Sequence, residues 1–277
     1  MRAHSQVSSL WTGPAADING RTMPSSIVWQ TDLYLQPVQS YAQQQLNGFK
    51  ARRDSLPWPL LLPIDWGADP FDDANWKSNL QHWRMTDPIL EEYFVRGGGP
   101  ELLREAMDYV IDWHRYHINE QRLDDFSWKD AVTGIRAIRI AFFIYRIYSG
   151  ELPATDPEIE ALHTLADEHL RRLSEPGFIR TTNHGFFQVA GLNLLSKVLA
   201  DRPAYKTGRE VAAANLSMIF RSQFDELGVH REHSPGYHFF TVEVLSKLGI
   251  DRHFESSEIR DLLALAKQHD GWLVFPS

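Results

Sequence analysis

The chain consists mainly of long segments whose apolar residues recur at helical spacing, separated by short loops. The clearest example begins at Thr155-Asp-Pro-Glu158, a pattern typical of a helix start, and stops at Pro176-Gly177, where a helix would end. The apolar stripe between them consists of Ile159, Leu162, Leu165, Ala166, Leu170 and Leu173. No run of alternating polar and apolar residues separates these segments. The pattern therefore argues against βαβ units and β-sandwiches.

The same reasoning predicts further helices at 32–50, 101–117, 130–148, 185–199, 208–224, 239–247 and 258–268. The proline-rich stretch 53–75 is interpreted as a long ordered loop. Consecutive helices joined by short loops predict an all-α domain of antiparallel hairpins, either a solenoid or an α/α toroid. The lack of a fixed sequence period disfavours the solenoid. We expect residues 1–30 to form an N-terminal arm or loop, and 31–277 to form the helical domain.

Composition narrows the range of functions. A length of 277 residues suits one large domain or two small ones. The absence of cysteine excludes disulfides, thiolate zinc sites and cysteine nucleophiles. A net charge of −8 does not suit a general nucleic-acid binder. No apolar run is long enough for a membrane span, and the first twenty residues lack the apolar core of a secretory signal. We therefore predict neither a nucleic-acid nor a membrane partner.

Two segments concentrate polar groups at predicted helix boundaries, where loops often carry function. They are Arg180–Gln188 and Gly228–His238. Four of the twelve histidines lie there, namely His184, His230, His233 and His238. Taken alone, Asn183 is better explained as a helix cap than as a functional residue. In the second segment, neighbouring cations favour the phenolate form of a tyrosine. Arg231 and His233 would therefore make Tyr237 usable as a general base or acid.

Together these residues resemble a known family. Asn183-His184-Gly185, followed by Glu-x-Ser-Pro-x-Tyr-His ending at His238, is similar to the heparinase II/III superfamily of polysaccharide lyases, which includes heparinase III-like and oligoalginate lyase-like enzymes. Matching residues upstream are Asp65-Trp66, Asn75-Trp76, Gln81-His82, Ser127-Trp128-Lys-Asp130 and Gly134-Ile-Arg136.

The resemblance implies an incomplete α/α toroid. In the family a C-terminal β-sandwich follows the toroid, and this chain stops where that domain would begin. We therefore expect a longer full-length protein. Family members are often periplasmic, although we predict no signal peptide in this chain.

The resemblance also implies β-elimination of a uronic-acid-containing polysaccharide such as a glycosaminoglycan or alginate. Asn183 and His184 would neutralise the uronate carboxylate while charge develops in the transition state. Tyr237 would abstract the C5 proton or protonate the leaving oxygen. The step requires no metal and no cofactor.

Eight further residues are candidates for substrate binding: Arg136, Arg231, His233, His238, Glu232, Gln188, Trp128 and His82. For Arg136 the alternative is a solvent-directed side chain or a pair with an acid such as Asp130, and for Trp128 it is packing. Two other functions stay open. A glycan-binding or polysaccharide-assembly domain could keep such a cleft without turnover. A glycoside hydrolase would need two facing carboxylates, and Glu232 is the only acid in the segments 180–188 and 228–238.

Overall fold

The computed structural model describes residues 27–232 and 234–268. Within them it has twelve α-helices and one π-helical turn, Arg115–Asn119. The helices are α1 Trp29–Asp32, α2 Tyr41–Asn47, α3 Ala74–Gln81, α4 Thr86–Arg96, α5 Pro100–His114, α6 Asp130–Tyr148, α7 Asp156–Leu173, α8 Asn183–Val198, α9 Pro203–Gln223, α10 Pro235–Lys247, α11 Ile250–His253 and α12 Ser257–Gln268. The described residues contain isolated bridges but no strands. The chain is an all-α, incomplete α/α toroid.

Helices α6 and α8 form the inside of the fold. Every residue of α6 from Ala131 to Ile144 is buried, as is every residue of α8 from Gly185 to Ser196. Helices α7 and α9 bury only one side and pack on the outside of this pair. Because a helix buried all round needs neighbours on every side, α6 and α8 are the core around which the hairpins are arranged.

Glycines let these two helices approach closely. A Cβ on Gly134 of α6 would lie 2.5 Å from the backbone of Phe187, and one on Gly191 of α8 would lie 2.3 Å from the carbonyl oxygen of Gly134. Any larger residue at either position would separate the helices. This crossing sets the N-terminal ends of α6 and α8 side by side, which matters for the site below.

The core also contains a buried ion pair. Arg139 of α6 and Asp87 of α4 are both fully buried and form a salt bridge. Arg139 also donates to the hydroxyl of Thr86 at 3.2 Å, and Asp87 accepts from Arg84 at 3.0 Å. Each charge is therefore compensated, as burial requires.

The N-terminal and C-terminal parts of the described chain meet at Asp32. His253 Nε2 lies 2.7 Å from one oxygen of this buried carboxylate, and Arg252 donates to the other. Burial opposes ionisation, but the hydrogen bond and charge of His253 outweigh it and, with Arg252, hold the pKa of Asp32 below its usual value. The cluster of Asp32, Arg252 and His253 therefore links α1 to α11.

Most helix predictions are confirmed to within a few residues. Helix α6 spans the predicted 130–148. At the start of α7, the Glu158 carboxylate accepts from the amide and the hydroxyl of Thr155 at 2.7 and 2.9 Å. The predicted helix 32–50 is wrong. The chain there forms α1 and α2, separated by an irregular stretch in which Tyr34 has a φ of +53°.

The predicted N-terminal arm lies mostly outside the described residues. Its described end is packed, because Trp29 is buried with its ring 5.4 Å from those of Phe142 and Tyr145. Three helices that the sequence did not predict are α3, α4 and α11. Among the helices of residues 27–232 and 234–268, none is long and apolar enough to cross a bilayer.

Candidate active site

The two predicted motif segments meet at one end of the helical assembly. The first enters α8 at Asn183, and the second follows α9 and enters α10 at Pro235. The N-terminal end of α6 joins them through Asp130. Asn183 and Tyr237 are half-buried, and His184 is half exposed. All three side chains that the sequence predicts to be catalytic therefore lie at positions a solute can approach.

The segment before α8 is held from inside by Gln188. Its amide oxygen accepts from the backbone amide of Arg180 at 2.8 Å, and its Nε2 donates to the carbonyl of Phe178 at 3.0 Å. Gly185 permits the tight turn, since a Cβ there would lie 1.9 Å from the carbonyl oxygen of Arg180. Gln188 is fully buried. It positions the segment instead of contacting a substrate, which differs from our expectation.

His184 is paired with an acid. Its Nδ1 lies 3.1 Å from Oδ1 of Asp130, the first residue of α6. The hydrogen bond and charge of Asp130 raise the pKa of His184, against burial and the cation of Arg180. The same hydrogen bond lowers the pKa of Asp130, helped by the amide of Ala131 at 2.6 Å. The sequence offered Asp130 as a partner for arginines of its own helix, and the structure pairs it with His184.

The second segment is organised by His230, which is buried. Its Nδ1 accepts from the backbone amide of Glu232 at 3.3 Å. Its Nε2 therefore carries the proton and donates to Oε1 of Gln223 at 3.1 Å. The His230 ring lies 5.3 Å from the ring of Tyr237. Burial lowers the pKa of His230, in keeping with a neutral ring.

Gln223 connects the two segments. While its Oε1 accepts from His230, its Nε2 donates to the carbonyl of Thr181 at 2.7 Å. Ser222 donates to the same carbonyl at 2.8 Å. A continuous path thus runs from Thr181, two residues before Asn183, to the ring beside Tyr237. Sequence reasoning missed Gln223, which lies at the end of α9 and outside both motifs.

His238 is also structural in this arrangement. It is buried, its Nδ1 accepts from the amide of His230 at 3.3 Å, and its Nε2 donates to the carbonyl of Ala266 at 3.0 Å. Both ring nitrogens are used within the protein, so His238 anchors the motif to α12. This differs from the predicted substrate contact.

Two predicted substrate-binding residues are exposed. Arg231 donates through Nε to the carbonyl of Phe224 at 3.1 Å, and Glu232 follows it on the surface. Both remain candidates for contact with a ligand. His233 lies outside the described residues.

Arg136 does not lie on an accessible surface. It is fully buried and donates to the carbonyls of Gln81 and Ser127 and to Nε2 of His169. Its guanidinium also lies 4.3 Å from the ring of Trp113, a cation–π contact. The predicted substrate clamp is instead a core residue, because aromatic rings and carbonyl oxygens replace the solvent around its charge.

Trp128 and His82 lie near Arg136. The half-buried Trp128 ring packs 5.1 Å from the Arg136 guanidinium and 4.0 Å from that of Arg172, which supports the packing alternative. It also lines an open cavity of about 640 Å³ with His117. His82 Nε2 is buried, and burial lowers the pKa of His82 well below its usual value. This atom is therefore not placed to meet a ligand.

No group of three or more histidine, aspartate or glutamate side chains in residues 27–232 and 234–268 is arranged to hold a metal ion. The candidate site consists of Asn183, the hydrogen-bonded His184–Asp130 pair and Tyr237.

Comparison with solved structures identifies the class of fold. The heparan sulfate lyase HepC from Pedobacter heparinus matches 87% of this chain with a TM-score of 0.64 at 16% identity. A heparinase III, the BT4657 gene product, matches 85% with a TM-score of 0.57 at 15% identity. The chain thus has a heparinase III-like helical fold.

The match covers 40% of each of those two chains, so this chain spans about two fifths of their length. No protein-family model matches the sequence. A search of curated proteins likewise gives no significant match.

Proposed function

We propose that the chain is the helical catalytic domain of a polysaccharide lyase. Its substrate would be an anionic polymer containing uronic acid, of the glycosaminoglycan type. The observation that supports the proposal is the link through Gln223, which hydrogen-bonds the loop before Asn183 to the histidine whose ring lies beside Tyr237. The similarity in fold to a heparan sulfate lyase and to a heparinase III supports the same substrate class.

The proposed reaction begins at the uronate carboxylate. The Asn183 amide would donate to this group and the His184 imidazolium would offset its charge, so that the adjacent C5 proton becomes acidic. Such groups act most strongly on charge that develops in the transition state. The half-exposed position of His184 and its pairing with Asp130 suit this task.

Tyr237 would carry out the proton transfers. Its phenolate oxygen takes the C5 proton, the electron pair of the C5–H bond forms the C4–C5 double bond, and the C4–O4 bond breaks. The leaving O4 then takes a proton from the tyrosine hydroxyl if both groups lie on one side of the sugar ring. Each step uses groups from this chain and from the substrate alone.

The test is an assay of the 277-residue chain against heparan sulfate, unsulfated heparosan, hyaluronan and alginate. Release of products that absorb in the ultraviolet, from unsaturated uronate ends, supports the proposal. The change Tyr237→Phe removes the reacting hydroxyl and keeps the ring, so it should abolish release. A matched control is Tyr93→Phe, a tyrosine of α4 whose hydroxyl bonds Glu151 at 3.1 Å. Full activity in Tyr237→Phe contradicts the mechanism.

A second function is a glycan-binding domain without turnover. It is favoured by the open position of the site, where His184 is half exposed and Asn183 and Tyr237 are half-buried. Saturable binding of one of these polymers with no unsaturated product would select this function over the lyase.

A further inference from the structure

The hydrogen-bonded pair His184–Asp130 suggests that the two residues have different roles in the proposed site, one contacting the substrate and the other orienting its partner. Their atoms Nδ1 and Oδ1 are 3.1 Å apart, although the residues lie on different helices. The distance is maintained by the close crossing of α6 and α8 at Gly134 and Gly191, where no Cβ could be accommodated. The two helix ends that carry the pair are therefore fixed relative to each other, although the His184 side chain itself is half exposed.

Asp130 is itself fixed in place. Its Oδ1 accepts from the amide of Ala131 at 2.6 Å, and its Oδ2 lies 3.7 Å from Nε of Arg180. As the first residue of a nineteen-residue helix, it also lies where the helix dipole favours a negative charge. The contacts with Ala131 and Arg180 restrict the orientations in which the carboxylate can meet His184.

We propose that Asp130 is a positioning residue, which holds the His184 ring with Nδ1–H directed at its carboxylate and leaves Nε2–H to meet the carboxylate of a uronate. This inference deepens the proposed lyase function and rests on it. Asp130 touches no substrate atom. It acts by fixing the tautomer and orientation of the ring, and by keeping it positively charged.

The charged groups that face His184 are Asp130 from α6 and Arg180 from the segment before α8. They act in opposite directions, and the acid dominates because it is hydrogen-bonded to the ring. Losing the acid while keeping Arg180 should lower the pKa of His184. The proposed activity should then be lost at a lower pH, since the imidazolium would lose its proton earlier.

The experiment uses the full chain with Asp130→Asn and the conservative Asp130→Glu. The control is Glu151→Gln, an acid just beyond the other end of α6 that pairs with Arg146. NMR follows the titration of the His184 ring in each variant. In parallel, the pH profile of kcat/KM is measured on unsulfated heparosan.

The expected result is a lower titration midpoint for His184 in Asp130→Asn, with the alkaline limb of kcat/KM moved to lower pH by the same amount. Asp130→Glu should restore part of both shifts, and Glu151→Gln should change neither. An unchanged midpoint, or an unchanged limb despite a moved midpoint, overturns the inference.

The failure of the proposed lyase function would look different. In that case the wild-type chain releases no unsaturated product from any polymer. The inference about Asp130 is then tested by NMR with a glucuronate oligosaccharide as the ligand. The oligosaccharide should shift the His184 resonances in the wild type and should not shift them in Asp130→Asn. Equal shifts in both proteins overturn it.

Discussion

Gln223 and His230 are joined by a 3.1 Å hydrogen bond from the imidazole Nε2 to the amide oxygen. The same amide donates to the carbonyl of Thr181 at 2.7 Å. A residue outside both motifs therefore sets the spacing between them. Because a proton transfer depends on the separation of the reacting groups, this bond should influence catalysis without touching a substrate.

Replacing Gln223 with Ala should lower kcat/KM by about 10²-fold, since a displacement of about 1 Å at a catalytic group has effects of that size. The fold should persist, because the path lies at the surface end of the helices. Steady-state kinetics and circular dichroism measure the two effects. The control is Asn215→Ala, an amide on α9 that donates to the backbone carbonyl of Val211 in its own helix. Equal rates in the two variants would contradict a role for Gln223.

Gly134→Ala should destabilise the protein. In an open helix this change stabilises by about 1 kcal/mol, but here the new Cβ lies 2.5 Å from the backbone of Phe187. Overpacking of this kind costs about 1–3 kcal/mol. Denaturant unfolding should show the loss. The matched change Gly236→Ala, whose Cβ meets no atom within 4 Å, should not destabilise the protein. A stabilised Gly134→Ala would show that α6 and α8 are not in close contact.

Asp87→Ala should be among the most damaging single changes. It leaves the fully buried Arg139 without its partner, and breaking a buried pair in this way costs about 3–5 kcal/mol. The exposed Arg171, which pairs with Glu168 and Glu175, gives the comparison, because Arg171→Ala should cost only about 1 kcal/mol. Urea titrations give the free energy of unfolding of each variant. Similar losses of stability in Asp87→Ala and Arg171→Ala would contradict the predicted difference between the buried and the exposed pair.

Buried histidines should make the protein sensitive to acid. Burial lowers the pKa of His117 to about 3 and that of His169 well below its usual value. Each histidine binds its proton more readily in the unfolded chain than in the folded one. Its contribution to the free energy of unfolding is therefore present above the unfolded pKa of about 6.5 and is lost as the pH falls toward the folded pKa.

Unfolding free energies measured from about pH 7 down to about pH 5 should therefore fall. The slope should reach about 1.4 kcal/mol per pH unit for each such histidine. In His117→Gln the free energy of unfolding should decrease less steeply with falling pH, by the slope that one histidine contributes. An unchanged slope would mean that His117 is already protonated in the folded protein.

The long helices could be predicted from the sequence, and the short ones could not. Helix α7 combines a sustained apolar stripe with a recognisable start, and α6 is apolar along most of its length. Local sequence is therefore enough to predict both helices. The segment 29–47 instead breaks into two helices. Its conformation depends on where Trp29 is buried against Phe142, and no local pattern contains that information.

In the site, too, some residues could be predicted from the local sequence, whereas others depend on how the helices pack. The motifs identified Asn183, His184 and Tyr237, whose catalytic roles stay predictions, but not the partners that hold them. Asp130 and Gln223 become visible only when α6, α8 and α9 are packed together. Arg136 was misplaced because an arginine on an apolar helix suggests a ligand. The available signal was the abundance of tryptophan, since Trp113 and Trp128 enclose its charge.

The most direct test of the central claim is the mass of the products formed from heparan sulfate by the 277-residue chain. Elimination gives fragments that carry an unsaturated uronate and are lighter by one water than the corresponding products of hydrolysis. We predict the lighter fragments from the wild type and none from Tyr237→Phe. Fragments of the hydrolytic mass, or lighter fragments formed equally well by Tyr237→Phe, would contradict the account.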